Sequence, residues 1–453
     1  MKKVFYGTVF ILLLALSGGA FYASERLPIM NGYAAKMMCS CVFEAGRNPE
    51  DVQNEDLNFS PVNYTRSQID KEKKTVTSTV FGFGAIKAVF REGLGCTLLV
   101  EAEEGSLRKQ TFQKPVINFD PDTILWPQGN KMNINVSNDF NRNQLEAAVN
   151  KVFGEDKKTK ALLVVHDNQL VVEKYGKGFN KDTKTLGWSM TKSITSALVG
   201  ILTKQGKLDI HQPLAVEAWK KDNRKTITLH HLMQMNSGLT WREDYGDISD
   251  VTKMLYKKAD MGNYALQSSF EKEPGENWLY SSGSSNIVSY LIRNVFENDD
   301  EYFSFPYREL FMKIGMHSIT LEPDASGTFV GSSYAFATPR DWARFGMLYL
   351  NDGVWNGERI LPEGWVDYST TPAKGSGGKY GVQWWLNRSK HELPDCPEDI
   401  FFCDGFQGQR IYVVPSKKLV VVRLGFKNID LNEMMVEILK AFPDQKKELS
   451  EGV

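Results

Sequence analysis

Ser189-Met190-Thr191-Lys192 opens the run Ser193-Ile194-Thr195-Ser196-Ala197-Leu198-Val199-Gly200-Ile201-Leu202. Ile194, Ala197, Leu198, Ile201 and Leu202 recur at helical spacing, which predicts a buried helix over residues 189–205. Residues three apart on a helix share a face about one turn apart, so the Lys192 amine comes within reach of the Ser189 hydroxyl. A serine hydroxyl is a weak nucleophile until a base removes its proton, and a lysine becomes such a base once burial depresses its pKa. The helix N-terminus adds positive potential at the same place. Serine and lysine stand at this spacing three more times, at Ser106 and Lys109, Ser269 and Lys272, and Ser376 and Lys379. Those three pairs sit in polar or Gly-rich stretches with no apolar run behind them to bury a lysine. Ser is also an ordinary helix N-cap, so the first pair acquires catalytic meaning only from what accompanies it.

Two further stretches accompany it in order along the chain. Tyr280-Ser281-Ser282 follows the turn Pro274-Gly275-Glu276 and precedes a helix expected over 286–296. A tyrosine hydroxyl there could relay a proton between a serine and a leaving group. Gly405-Phe406-Gln407-Gly408-Gln409 leads into a strand at 410–414, and a Gly-containing strand edge lets a substrate lie close with an N–H aimed at an oxyanion. Around these, 161–165 and 169–173 flank Asp167-Asn168 as a hairpin, Pro339–Leu350 reads as a helix, and 419–424 reads as a strand. An amphipathic stretch at 431–442 follows. Strands at both ends of a helical middle predict an α+β body, with one antiparallel sheet built from both chain ends and a helical domain inserted between them.

The rest of the composition narrows the chemistry. Fifty-four basic residues against 55 acidic ones, a net charge of -1, exclude a strongly basic nucleic-acid binder. The 453 residues are 42% hydrophobic and 24% charged, ordinary for a globular protein and unlike a disordered or polytopic chain. No phosphate-binding Gly-rich loop, dinucleotide fingerprint or His-Glu-x-x-His helix occurs, so the sequence calls for no cofactor and no metal. The nearest approach to a Gly-x-Ser-x-Gly elbow, residues 187–191, ends in Thr191 instead of Gly.

The order of the motifs resembles that of the penicillin-recognising serine hydrolases, in particular the class C β-lactamase-like branch that includes esterases, D-alanyl carboxypeptidases and aminohexanoate-oligomer hydrolases. Ser189-Met190-Thr191-Lys192 looks like the first family motif, Tyr280-Ser281-Ser282 like the second, and Phe406-Gln407-Gly408 falls where the third carries Lys-Thr-Gly. Residues 227–239, 342–350 and 380–385 fit as well. The resemblance implies a β-lactamase-like antiparallel sheet flanked by helices. It implies Ser189 as the acylated nucleophile, Lys192 as its base and Tyr280 as proton relay. It also implies the backbone N–H groups of Ser189 and Gln409 as oxyanion hole, with Ser282, Phe406, Gln407 and Gly408 at the substrate. Phe406 replaces a lysine that would hold a β-lactam carboxylate, and Ser282 replaces an amide. Both point to a small-molecule ester or linear amide as substrate, rather than a β-lactam. The other readings of the same resemblance are a D-alanyl peptidase or β-lactamase, and a fold that has lost turnover and serves as a sensor.

The N-terminus carries Lys2-Lys3 and then 4–23 without a charge, the pattern of a signal peptide or membrane anchor over 1–24. Residues 25–130 read as a small β-rich module ending in a linker at 119–130, and 131–445 as the hydrolase domain. The export signal implies a periplasmic or cell-envelope location and an oxidising environment for the five cysteines. Cys396 and Cys403, with Pro397 between them, are expected to form a local staple, and Cys96 to pair with Cys39 in preference to Cys41.

Overall fold

The computed structural model describes residues 2–133 and 139–443. Strands Thr159–His166 and Gln169–Tyr175 are joined by Asp167 and Asn168, at φ 45° and 63°. Two consecutive left-handed residues give the tight turn whose twist matches that of the flanking strands. Strand Leu419–Gly425 then lies antiparallel beside Thr159–His166, with Val421 opposite Val164. Strands Gln409–Val414, Phe401–Gly405 and Trp385–Leu386 continue outward in that order. The result is a six-stranded, wholly antiparallel sheet assembled from both ends of the chain.

Both faces of this sheet are covered. Leu163, Ile411, Val413 and Val422 point into a core shared with helices Thr191–Lys204 and Pro339–Leu350. Leu162, Val164, Tyr412 and Val421 point the other way, against helices Arg142–Val152 and Leu431–Leu439. A strand buried on both faces has no polar side, which is why these segments read as unbroken apolar runs.

The N-terminal region departs from the expected pattern. One helix, Lys2–Cys39, runs through the start of the supposed β-rich module, and the strands begin only at Thr65. Residues 31–41 are buried on every side, so no amphipathic stripe marks them as helical. The four strands Thr65–Asp70, Thr75–Val80, Phe83–Arg91 and Gly95–Leu98 form an antiparallel meander in sequence order. The meander packs on the helix, where Asn31 Nδ2 donates to the carbonyls of Phe83 (3.0 Å) and Gly84 (2.7 Å). At the far end of the helix, Lys36 forms a buried ion pair with Glu322, and the Cys96 N–H donates to the same carboxylate at 2.6 Å. Most side chains of 4–23 lie outside the described residues; among the described residues no helix is long and apolar enough to cross a membrane.

The stretch expected as a linker is tied down. Trp126 is buried beneath the Arg344 guanidinium, 4.7 Å from its ring, and Arg344 donates to the carbonyls of Pro127 and Gly129. Its Pro- and Asp-containing composition signals irregular backbone, which one buried arginine fastens to the body.

The cysteines are half as expected. Cys39 and Cys96 form a disulfide with Cα atoms 6.0 Å apart, whereas Cys41, Cys396 and Cys403 are free and buried. The pleat explains the missing staple: Phe402 faces the core of the outer helices, so Cys403 faces the opposite core, while Cys396 packs on Phe402's side beside Asn432. Seven residues are enough to bring the two chains near, but the sheet stands between the sulfurs. Unfolding the unreduced protein in excess alkylating reagent should therefore modify Cys41, Cys396 and Cys403 and leave Cys39 and Cys96 linked. A peptide containing Cys396 disulfide-bonded to Cys403 would contradict this arrangement.

Candidate active site

The turn Trp188–Met190 leads directly into helix Thr191–Lys204. Trp188 has φ 50°, a left-handed conformation that costs a bulky residue on the order of 1–3 kcal/mol. Packing holds it there: its ring stacks on that of Tyr33, 5.9 Å away and 14° from parallel. The bend sets Ser189 at the head of the helix, on the wall of a cleft of about 540 Å³.

Lys192, one turn further on, is 1% exposed. Its Nζ donates to Ser189 Oγ, to Ser282 Oγ and to the Ser332 carbonyl, each at 3.0 Å. Three donors thus meet three neutral acceptors, and among the described residues no carboxylate touches the amine. Burial lowers the lysine pKa to about 8, against the pull of the more distant Glu243 and Asp404.

Ser282 is the first residue of helix Ser282–Arg293, which Ser281 caps by accepting from the Ser284 N–H at 3.0 Å. It links Lys192 to Glu243, a residue that sequence reasoning missed. Ser282 donates through its hydroxyl to Glu243 Oε1 (2.5 Å) and through its backbone N–H to Oε2 (2.9 Å). Tyr245 OH and Trp241 Nε1 also donate to this carboxylate, at 2.7 and 2.5 Å. The substituted serine of the second motif therefore belongs to the network around the lysine rather than to the cleft lining.

Tyr280 lines the cleft together with Ser189, and its ring lies 5.0 Å from Lys192 Nζ. Burial, then the nearby Glu243, raises its pKa well above the usual tyrosine value, so it is a neutral phenol at ordinary pH. Tyr380 and Trp385 pack against it at 5.8 and 5.3 Å.

The third stretch sits differently from the resemblance. Strand Phe401–Gly405 is the one that runs beside the Ser189 turn: a Cβ added to Gly405 would lie 2.2 Å from the Gly187 carbonyl oxygen, so only glycine lets the two backbones meet. Residues 406–408 are the hairpin turn beyond it, with Gln407 at φ 64° and Gly408 at φ 81°. Phe406 and Gln407 line the cleft, and the Phe406 ring lies 6.3 Å from that of Tyr245. Gly408 instead turns against Arg423, whose Nη1 donates to its carbonyl at 2.9 Å. Gln409 enters the ladder opposite Gly405 and accepts from the Gly425 N–H at 3.0 Å; it is not among the cleft-lining residues. In place of a free cation, the strand presents Asp404 ion-paired with Arg410 across the ladder, and burial raises the Asp404 pKa to about 6.

The comparison pairs fare as their surroundings suggest. Ser106 and Ser269 are exposed together with Lys109 and Lys272, and Ser376 donates to the Tyr380 carbonyl. None of the six histidines lines the cleft.

The chain is similar to proteins of known sequence and structure. A curated 6-aminohexanoate-dimer hydrolase of Paenarthrobacter ureafaciens is 23% identical over 297 residues, 60% of this chain and 73% of its own length. A Bacillus anthracis structure that carries the name of a 6-aminohexanoate-dimer hydrolase superposes with TM-score 0.56 at 23% identity, over 72% of this chain and 88% of its own. A family VIII carboxylesterase superposes with TM-score 0.53 at 17% identity, over 66% and 96%. The Beta-lactamase family model matches residues 151–428, more than half of the chain and every strand of the six-stranded sheet, and the protein belongs to that family of serine hydrolases.

Proposed function

We propose that this protein hydrolyses an ester or a linear amide through an acyl-enzyme on Ser189. The observation that carries the reading is the 3.0 Å contact between Ser189 Oγ and an amine whose acceptors are all neutral. In its unprotonated form Lys192 takes the Ser189 proton as Oγ bonds to the substrate carbonyl carbon. Tyr280, kept as a phenol, hands its proton to the departing oxygen or nitrogen and is reprotonated from Lys192. Water then attacks the acyl carbon by the reverse relay, and the C–Oγ bond breaks. We assign the oxyanion donors to the N–H groups of Ser189 and Phe406, the latter in place of Gln409, because the backbone approaches the nucleophile turn at Gly405. Export rests on the uncharged 4–23 run and on the Cys39–Cys96 bond, which suits an oxidising compartment.

Ser189→Ala should abolish hydrolysis of p-nitrophenyl acetate and labelling by an acylating serine probe, with Lys192→Ala nearly as severe because the two act as a unit. Tyr280→Phe should cost about 10²–10⁴-fold, the usual range for general acid–base help. Full labelling of Ser189→Ala would rule out this nucleophile.

The base must be unprotonated, so kcat/KM should rise with pH and level off above a midpoint near the lysine value of about 8. Glu243 favours the ammonium form, so Glu243→Gln should move that midpoint to lower pH. A midpoint unmoved or raised by this substitution would disconnect Glu243 from Lys192.

Esters should turn over faster than a chromogenic cephalosporin. Arg410 is paired with Asp404, and Arg26 at the cleft edge with Asp247, so a β-lactam carboxylate would be desolvated without a free cation to receive it. Equal kcat/KM for the two substrates would refute this.

A further inference from the structure

We propose that the N-terminal helix and residues 59–62 form the acyl-binding wall of the active site, and that the preferred substrate carries an aliphatic acyl chain; this rests on the hydrolase reading above. Facing Ser189 and Tyr280 across the cleft are Ile29, Met30, Tyr33, Phe59, Pro61 and Val62, none of which falls within the family match at 151–428. Arg26, Ile29, Met30 and Tyr33 stand at i, i+3, i+4 and i+7, so a single helix face is turned to the cleft.

That face is fixed in place. Tyr33 stacks on Trp188, the residue that aims Ser189, and meets Phe59 edge-on at 5.5 Å. One turn further, Lys36 is ion-paired to Glu322 in the interior, and Cys39 is bonded to Cys96. The charge in this half of the cleft is spent at its rim, where Arg26 donates to the Gly246 carbonyl and to Asp247. The inner wall offers aliphatic and aromatic carbon, and Phe406 with Trp188 extends it on the catalytic side. A cavity of about 540 Å³ has the size of a small-molecule site. An uncharged alkyl chain gains from such a surface with each methylene, whereas a charged group laid on it would lose hydration.

The test is kcat/KM over p-nitrophenyl esters from acetate to dodecanoate, with the leaving group constant. Each added methylene should raise the value about fourfold until the cleft is filled, after which it should fall. Met30→Trp should move the maximum to a shorter chain and Phe59→Ala to a longer one. Both readouts are shifts along the series, so they survive a change in overall activity. A wild-type profile flat in acyl length, with acetate still turned over, would overturn the wall and leave the hydrolase intact. Variants whose maxima coincide with wild type would overturn it too. No turnover of any ester would instead remove the hydrolase reading, and this inference with it.

Discussion

A lysine amine held out of water with only neutral neighbours is the constraint around which this site is arranged. Burying an ammonium is costly, so its environment must give every N–H an acceptor or favour the amine form. Here both happen. Helix Thr191–Lys204 supplies the amine, helix Ser282–Arg293 a hydroxyl, the loop at Ser332 a carbonyl, and the nucleophile itself the third acceptor. Glu243 hydrogen-bonds Ser282 and acts on the amine from beyond it, far enough to leave the lysine without a salt bridge. Three segments distant in sequence, 188–204, helix Ser282–Arg293 and the loop at Ser332, are therefore fixed relative to one another by one amine.

The N-terminal region is joined to this body by a buried ion pair. Such pairs contribute little net stability, because desolvation offsets the attraction, but losing one partner typically costs about 3–5 kcal/mol. Lys36 meets Glu322 where the helix seats, and Cys96 is brought to Cys39 by a strand whose N–H bonds the same carboxylate. The pair thereby specifies a register for the helix, and Tyr33 and Met30 reach the cleft as a result of it.

Much of this was legible in the sequence. Ser189, Lys192 and Tyr280 could be picked out by order and by the apolar run that buries the lysine, and the sheet strands by their unbroken hydrophobicity. Glu243 was not, because Arg242-Glu243-Asp244-Tyr245 has the composition of a solvated loop, and nothing local shows that this one carboxylate turns inward. The Asp404–Arg410 pair was hidden for another reason: the match to a three-residue motif fell on the hairpin turn, and only the steric demand at Gly405 identifies the strand that touches the nucleophile. The part played by residues 26–62 was missed because residues 31–41 are buried all round and show no amphipathic stripe, and because the turn that Tyr33 packs on, at Trp188, is remote in sequence.

Strand Leu419–Gly425 occupies the middle of the main sheet, between Thr159–His166 and Gln409–Val414, although it is the last strand in the chain. Its pairing with Thr159–His166 joins residues about 250 positions apart, a large loop to close and a contact order that slows folding. On the ribosome, the first hairpin and the nucleophile helix emerge long before the strand that gives them a floor. Until then two apolar strand edges stand unpaired, which is the condition in which chains associate wrongly. The last main-sheet strand to emerge is therefore its keystone, and a chain interrupted between Tyr280 and Leu419 holds Ser189, Lys192 and Tyr280 but lacks the strand that completes their sheet.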